Sequence, residues 1–352
     1  NLIHLIFVNM NKVAKGIREL KEGEQVDRVF LVRSKQGLVT KNGNPYVSLK
    51  LGDRTGEIDA KIWDRADDLS PRFKKDDFIR VRGVVSSFQG SPQITVRDLD
   101  PVPPDQVAVE EFLPASKRSL DEMAAAFRQI ADSVGSPHIR ALILSFADDE
   151  AFMNRLKRAP AAKGMHHVYI GGLIEHILDL VGLARDVVPH FPWVDGDLVV
   201  AGCVFHDIGK VAELKYERSF DYSTEGHLLG HIAIGYEWVS ERMRGIPGFP
   251  DDLAMRIKHL ILAHHGELEF GSPKVPMTPE AFVVHHLDNL CAKLDSVREF
   301  IAQGSGEEGE SGMTPYHKIL GRYLYRGPSR IGGFIGSEGG SEGGNEGGSE
   351  GR

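Results

Sequence analysis

Short apolar runs that alternate with polar residues dominate the chain between residues 25 and 96. Alternation with a period of two residues predicts β-strands that bury one face. Turn-forming segments such as Lys41-Asn-Gly-Asn-Pro45 separate the runs. The predicted strands are Val26–Val32, Tyr46–Leu51, Glu57–Trp63, Phe78–Val85 and Gln93–Val96, with one short helix at Asp67–Phe73 after the third. Five strands and a helix in this order predict a five-stranded Greek-key barrel.

From Ser119 onward the apolar period becomes helical. Ser119-Leu-Asp-Glu122 has the composition of a helix cap, and seven prolines between Pro189 and Pro279 separate the helical segments. The predicted helices span residues 119–134, 138–157, 171–188, 197–208, 227–244, 251–263 and 279–302. Lys215–Thr224 is predicted to be a hairpin or long loop. These segments predict an all-α bundle after the barrel.

The two patterns predict a multidomain protein, with an N-terminal all-β barrel of the OB type followed by an all-α helical bundle. The barrel is predicted at residues 15–104 and the bundle at residues 119–303, joined by a linker at 105–118. Residues 1–14 are an N-terminal extension, in which Met10 is a candidate start. Residues 304–352 are predicted to be a flexible tail, since the Gly-, Ser- and Glu-rich repeats from Gly332 onward cannot bury a core.

The composition is typical of a globular protein, with 41% hydrophobic and 26% charged residues. The two cysteines, Cys203 and Cys291, lie in apolar or helical surroundings, which indicates a reducing cytoplasm and no disulfide framework. The apolar segment Leu2–Val8 is too short to span a membrane and lacks the basic flank of a secretory signal. We therefore expect a cytoplasmic protein with no membrane partner.

The predicted barrel is mildly basic, with 18 Lys and Arg against 15 Asp and Glu in residues 12–105, although the whole chain has a net charge of −8. Barrels of this type bind single strands by stacking bases on aromatic side chains beside a basic groove. The candidate binding residues are the aromatic Tyr46, Trp63 and Phe88 and the basic Arg80 and Arg82. The alternative for Trp63 is a core position, the more frequent outcome on an alternating strand.

A seven-residue segment, Val204-Phe-His-Asp-Ile-Gly-Lys210, ends a long apolar run that is predicted to be a buried helix. A buried imidazole and carboxylate side by side, His206 and Asp207, require partners, and a divalent cation would satisfy both. Lys210 follows one helical turn later on the same face. The alternative is a helix C-terminus with a polar cap and Gly209 as terminator. The motif alone leaves both interpretations open.

Histidines are concentrated in the same region, since 13 of the 15 lie between His138 and His286. For His176 a hydrogen-bonded core histidine is an equal alternative, and His227 competes with His231 for the same helix face. His285, His286 and Asp295 are predicted to face solvent or to lie behind the ligands. The candidate ligands on apolar-periodic segments, besides His206 and Asp207, are His176, His231, His264, His265 and Asp288.

Four or five histidines with two aspartates form a mixed nitrogen and oxygen ligand set. Such a set suits manganese, iron, cobalt or zinc, and it is unlike a thiolate-bound structural zinc site. Six or seven ligands exceed what one ion needs, so we predict two divalent metal ions that share a bridging carboxylate. Asp207, central in the set, is the predicted bridge.

The order His176, His206-Asp207 and Asp288 resembles the HD superfamily of metal-dependent phosphohydrolases, and the further histidines resemble its two-metal branch. Over about residues 15–303 the chain is similar to a narrower family, the YhaM-type 3′→5′ exoribonucleases, which join an OB domain to an HD domain. The motifs that carry this resemblance are Leu51-Gly-Asp-Arg-Thr-Gly-Glu57 with Trp63, His166-His167 before Gly171-Gly-Leu-Ile-Glu-His176, Gly230-His-Ile232, and His264-His-Gly266 followed by Gly271-Ser-Pro-Lys274. The acidic tail and His227 depart from the family pattern.

The resemblance implies a metal-dependent exonuclease that degrades single-stranded RNA, with single-stranded DNA as a further candidate, to nucleoside monophosphates. Asp207 and Lys210 would be catalytic, Lys210 by neutralising charge on the phosphoryl oxygens, and His167 is a candidate phosphate contact. Manganese is the first candidate for both ions. One ion would be held by His176, His206, Asp207 and Asp288, and the other by Asp207, His231, His264 and His265. Family members are often multimeric, and the sequence leaves the oligomeric state open.

Two alternative functions are compatible with these residues. The first is another HD phosphohydrolase that acts on nucleotides or cyclic dinucleotides, although the Gly-Tyr-Pro signature of the cyclic-dinucleotide branch is absent after His264-His265. The second is a non-catalytic nucleic-acid-binding scaffold with a degenerate HD domain. A scaffold need not keep every ligand position occupied, so the complete set of ligands favours an enzyme.

Overall fold

The computed structural model describes residues 16–163, 168–303 and 312–326. Contacts between residues divide the chain into two compact units, Asn1–Cys291 and Ala292–Arg352. The N-terminal extension predicted at residues 1–14 and the candidate phosphate contact His167 lie outside the described residues.

Five strands close into a barrel in the order β1-β2-β3-β5-β4. They are Gln25–Val39 (β1), Pro45–Asp53 (β2), Gly56–Ile62 (β3), Phe78–Phe88 (β4) and Ser91–Val102 (β5), and a short helix, Ala66–Leu69 (α1), follows β3. Buried residues such as Val47, Leu49 and Leu51 alternate with outward-facing ones, as the period of two requires. Only the β3–β5 pair is parallel. The OB-type barrel predicted from the alternation is confirmed.

The segment between barrel and bundle, predicted as a linker at 105–118, packs into the core of the helical bundle. Val109, Phe112 and Leu113 are buried there, and the ring of Phe112 meets that of Phe78 on β4 edge to face at 5.0 Å. The backbone N–H of Arg54 also donates to the carbonyl of Glu111 at 2.8 Å. This segment therefore attaches the barrel to the bundle through apolar burial.

Helices dominate the rest of the first unit, as predicted. A helix predicted at 138–157 is instead two helices, because the Asp149 carboxylate accepts a hydrogen bond from the backbone N–H of Phe152 at 3.0 Å and caps a new helix. The helices are Leu120–Gln129 (α2), Pro137–Ala147 (α3), Glu150–Leu156 (α4), Gly172–Val187 (α5), Gly196–Phe205 (α6), Lys210–Glu213 (α7), Thr224–Arg244 (α8), Asp251–Ala263 (α9) and Pro279–Gln303 (α10).

The helix α6 is the centre of the bundle. Every residue from Leu198 to Phe205 is buried, so the helix has no solvated face. It packs against α3, α5 and α9. A helix buried on all sides places whatever follows its last turn inside the protein, and His206 and Asp207 follow directly.

The helix α8 is kinked at Gly230, whose φ of 73° and ψ of 157° lie outside the helical region. Glycine adopts a positive φ without steric cost, so the kink falls where the sequence allows it. The kink breaks the four-residue spacing between His227 and His231. His227 is exposed and packs against Tyr222 at a centroid distance of 5.1 Å. The prediction that His227 shares a helix face with His231 is therefore wrong.

Two smaller features complete the described chain. Leu214–Lys215 (β6) and Asp221–Tyr222 (β7) pair as the predicted hairpin. Residues 312–326, within the predicted tail, contain the bridges Met313–Tyr325 and His317–Arg322. Among the described residues, no helix combines the length and apolar character that crossing a bilayer requires.

Candidate metal centre

The turn after α6 lies against α8 at backbone distance. A Cβ atom on Gly209 would be 2.1 Å from the carbonyl oxygen of His231 and 2.7 Å from the backbone nitrogen of Gly235. Gly209 has a φ of −67°, so it is not a left-handed helix terminator. A glycine is needed here because no side chain fits between the two segments. This close approach brings Asp207 and His231 to the same site.

One group of ligand atoms consists of His176 from α5, His206 after α6, and Asp288 from α10. The Nε2 atom of His176 lies 3.3 Å from that of His206 and 3.1 Å from the Asp288 carboxylate. His206 Nε2 is 3.7 Å from the same carboxylate oxygen. His176 and His206 are fully buried. These three side chains could hold one metal ion.

A second group consists of His231 from α8 and the pair His264-His265 after α9. One ring nitrogen from each histidine lies within 4.8 Å of the others, so this group could hold another ion. His264 is buried, whereas His231 and His265 are half-buried and face the more open side of the site.

The Asp207 carboxylate lies between the two groups. Its Oδ1 atom is 3.4 Å from His231 Nε2 and 3.6 Å from His264 Nε2. Its Oδ2 atom is 3.3 Å from His206 Nε2 and 2.6 Å from Lys210 Nζ. The two oxygens of one carboxylate thus face different groups, which is the arrangement expected of a bridging ligand.

Hydrogen bonds orient several of the rings so that Nε2 points into the site. The Nδ1–H groups of His206, His264 and His265 donate to the backbone carbonyls of Cys203, Ile261 and Phe270, at 3.0, 2.8 and 3.0 Å. Because a carbonyl only accepts, the Nε2 atom of each of these rings offers a lone pair to a metal when the ring is neutral.

Glu213 performs the same function for His231 and was not among the predicted site residues. Its Oε1 atom accepts hydrogen bonds from both the backbone N–H and the Nδ1–H of His231, each at 2.9 Å. Its burial is nearly complete, and the bonds to His231 keep its pKa below the usual value although burial raises it. No spacing signal marks Glu213, because its relation to His231 arises from the packing of α7 against α8.

The charges of the site depend on each other. Burial alone would neutralise Asp207, but Lys210 and His206 keep its pKa well below the usual range. Burial also opposes charge on His206, but the Asp207 and Asp288 carboxylates raise its pKa to about 10. Burial, reinforced by neighbouring His206, lowers the pKa of His264 well below its usual value, so this ring is neutral.

Buried polar atoms that have no hydrogen-bond partner give an independent indication that the site fits a metal. In the described part of the chain, Asp207 Oδ1, His231 Nε2 and His264 Nε2 are buried atoms without a hydrogen-bond partner, and they converge on one point. Leaving three such atoms without partners is costly, and a cation would satisfy all of them.

Among the described residues, His285 and His286 lie outside the two groups. The Nδ1–H of His285 donates to the carbonyl of His264 at 2.8 Å, so His285 lies behind a candidate ligand, as predicted. His286 is exposed. In the second unit, Asp295 pairs with Arg298 at 2.8 Å.

The aromatic candidates of the barrel include a stacked pair. Tyr46 on β2 and Trp63 after β3 stack with centroids 4.7 Å apart and an interplanar angle of 24°. Trp63 is 45% exposed, so its alternative assignment to the core is wrong. The Nζ atom of Lys61 lies 5.8 Å from the Tyr46 ring. Phe88, at the tip of the β4–β5 hairpin, is 61% exposed.

Arg80 and Arg82 lie on β4, which β1 and β5 separate from the strands of the aromatic pair. Arg80 forms two hydrogen bonds with Asp27, at 2.7 and 3.1 Å. Arg82 contacts Asp98 and Asp100, each at 2.7 Å. The structure therefore does not bring these arginines to the Tyr46–Trp63 face, and aspartates already balance their charges.

Comparisons with known proteins agree with this division of the chain. Residues 28–102 match the model of the OB-fold nucleic acid binding domain, and residues 173–293 match that of the HD domain. The 3′-5′ exoribonuclease YhaM of Bacillus velezensis is 35% identical over 287 residues, which cover 80% of this chain and 89% of that protein. YhaM of Bacillus subtilis is 34% identical over 80% of this chain and 90% of that protein.

The second OB-fold domain of replication protein A from Methanococcus maripaludis aligns with 25% of this chain and 93% of its own, at 26% identity and a TM-score of 0.21.

A closed OB barrel joined to an HD domain with clustered histidines and aspartates defines a class of protein, the metal-dependent phosphohydrolases that carry a nucleic-acid-binding domain. The HD domain implies a divalent metal, and the two groups of ligand atoms lie within it. Within this class the chain belongs to the YhaM family of 3′-5′ exoribonucleases.

Proposed function

We propose that this protein is a cytoplasmic, metal-dependent 3′→5′ exonuclease that hydrolyses single-stranded RNA to nucleoside monophosphates, with single-stranded DNA as a second candidate substrate. The observation that carries the proposal is the position of Asp207, whose two oxygens face separate groups of metal-ligating side chains. A degenerate domain would not need to keep this convergence. The YhaM relatives are 3′-5′ exoribonucleases, which supports the same reaction.

In this proposal His176, His206, Asp207 and Asp288 hold one ion, and Asp207, His231, His264 and His265 hold the other. Paired divalent ions supply a nucleophile at neutral pH and stabilise charge on the phosphoryl group. Manganese suits the mixed nitrogen and oxygen donors, as do iron, cobalt and zinc.

Lys210 has two functions in this proposal. Its ammonium group, 2.6 Å from Asp207 Oδ2, holds the bridging carboxylate in place. Burial opposes its charge, but Asp207 raises its pKa, so the group stays protonated. A protonated Lys210 adds positive charge beside the site, where negative charge grows on the phosphoryl oxygens during hydrolysis.

The experiment that tests the proposal follows single-stranded RNA labelled at either end during incubation with the purified protein and Mn²⁺. We expect the 5′-labelled strand to shorten stepwise and the 3′-labelled strand to release labelled mononucleotide at once. Internal fragments from the first time points would indicate an endonuclease. An intact strand beside a hydrolysed nucleotide panel would favour the nucleotide phosphohydrolase instead.

The exposed pair Tyr46–Trp63 gives the barrel a stacking surface for bases. Stacking on an aromatic side chain contributes about 1–3 kcal/mol per base. Trp63→Ala should therefore weaken binding of a single-stranded oligonucleotide roughly 5- to 100-fold, measured by fluorescence anisotropy in EDTA so that the strand stays intact. The matched control is Trp193→Ala, which removes a tryptophan that is 71% exposed on the helical domain. Equal affinities for the two variants would exclude this surface.

A further inference from the structure

A cavity of about 720 Å³ opens beside the second group of ligands. His231 and His265 form part of its wall, together with Glu213, which orients His231. Much of the remaining wall is apolar or aromatic, including Leu229, Tyr236 and Phe270. The volume lies in the range of sites that hold one small organic ligand. A ligand in this cavity would therefore lie directly against the proposed metal centre.

Phe270, in the cavity wall, is hydrogen-bonded through its backbone to the candidate metal ligand His265. The carbonyl of Phe270 accepts a hydrogen bond from the Nδ1–H of His265 at 3.0 Å. This bond links the turn Leu268–Phe270 to the His265 ring. Leu229, also in the wall, directly precedes the kink at Gly230 and the candidate ligand His231. Leu229 and Phe270 are therefore linked to the candidate ligands His231 and His265, Leu229 through the chain and Phe270 through a backbone hydrogen bond.

Phe270 and Leu229 are 66% and 55% exposed. One exposed apolar side chain is ordinary on a protein surface, but two that line one cavity beside a ligand group indicate a binding function. A planar aromatic ring with a free face favours a planar, aromatic ligand, and nucleobases are such ligands. Stacking also accepts every base, as an enzyme that degrades a whole strand requires.

We propose that this cavity binds the base of the 3′-terminal nucleotide, with Phe270 as the stacking surface and Leu229 and Tyr236 as further parts of the wall. The inference rests on the proposed exonuclease function, because a strand cut one nucleotide from its 3′ end places one nucleoside beyond the phosphate at the metal centre. Phe270 is then a substrate-positioning residue that sets the length of the released product.

The test compares two RNA strands of identical sequence, one with an ordinary 3′-terminal nucleotide and one whose 3′-terminal residue lacks a base. With wild-type protein and Mn²⁺, kcat/KM should be higher for the ordinary end. Phe270→Ala should reduce the ratio of the two kcat/KM values about 5- to 100-fold, which is the loss of one stacked base, and Phe270→Trp should preserve it. The matched control is Leu268→Ala, in the same turn and 67% exposed, but absent from the cavity wall.

A second readout does not depend on hydrolysis. Binding of adenosine 5′-monophosphate to the Mn²⁺-loaded protein, measured by calorimetry, should weaken in Phe270→Ala and stay unchanged in Leu268→Ala. An unchanged ratio of kcat/KM values in Phe270→Ala would overturn the proposal. If both values also fell by the same factor, Phe270 would have a structural role only. If wild-type protein cleaves neither strand, the exonuclease function fails, and the nucleotide-binding comparison alone decides the role of the cavity.

Discussion

Asp207→Asn should reduce hydrolysis of single-stranded RNA by roughly 10³-fold or more, the largest effect we expect from one substitution. The amide keeps the volume of the side chain but removes its charge and replaces one oxygen by an NH₂ group. Whichever way the amide turns, it presents hydrogens either to His231 and His264 or to His206 and Lys210. One of the proposed ions then loses a ligand, and Lys210 loses its partner.

The measurement combines kcat/KM on a 3′-labelled strand with the metal content of the purified protein. We expect the metal content to fall below that of wild type while the circular dichroism spectrum keeps its helical signal. The control is Asp186→Asn, an exposed aspartate on the same helix as His176, which should retain full activity. Full activity and full metal content in Asp207→Asn would refute the bridging role.

Glu213→Gln should lower the apparent affinity for Mn²⁺ about 10- to 100-fold, the usual cost of losing a carboxylate behind a metal-bound histidine. The neutral amide still accepts a hydrogen bond from His231, but it no longer increases the basicity of the ring. We therefore expect activity at low Mn²⁺ to fall and activity at saturating Mn²⁺ to recover in large part.

The recovery distinguishes a positioning role from a structural one, since a misfolded site would not respond to added metal. A titration of activity against Mn²⁺ concentration gives the apparent affinity for Mn²⁺ and the activity at saturating Mn²⁺. Glu217→Gln is the matched control, because Glu217 is exposed and lies four residues later in the chain. A Mn²⁺ dependence identical to wild type would show that Glu213 does not support His231.

The barrel could be predicted because its strands bury one face. Burial of one face makes apolar and polar residues alternate along each strand. Val47, Leu49 and Leu51 are such a series. The exposure of Trp63 could not be predicted, because aromatic residues suit both a core and a stacking surface. Its stacking against Tyr46 depends on the pairing of β2 with β3, which is a tertiary fact.

For the linker at 105–118, the sequence did not predict burial that the structure shows. The segment Pro101-Val-Pro-Pro104 directly before it indicates an extended linker, yet Val109, Phe112 and Leu113 enter the core of the bundle. Three apolar residues in a short irregular segment have no helical or strand period, so their burial cannot be predicted from periodicity.

What the sequence by itself indicated was the set of candidate ligands. His206 and Asp207 follow an apolar run that has to be buried, and a buried imidazole and carboxylate require a partner. Together with the other histidines and Asp288 of the same region, this pair indicated a metal site.

Only the tertiary structure decided which of these side chains meet. The close approach at Gly209 brings Asp207 to His231, and the kink at Gly230 separates His227 from it. Glu213 and Phe270 join the site through packing and a backbone carbonyl. The physical reason is that residue type and spacing describe one element at a time, whereas contacts between α5, α6, α8, α9 and α10 depend on how those elements pack.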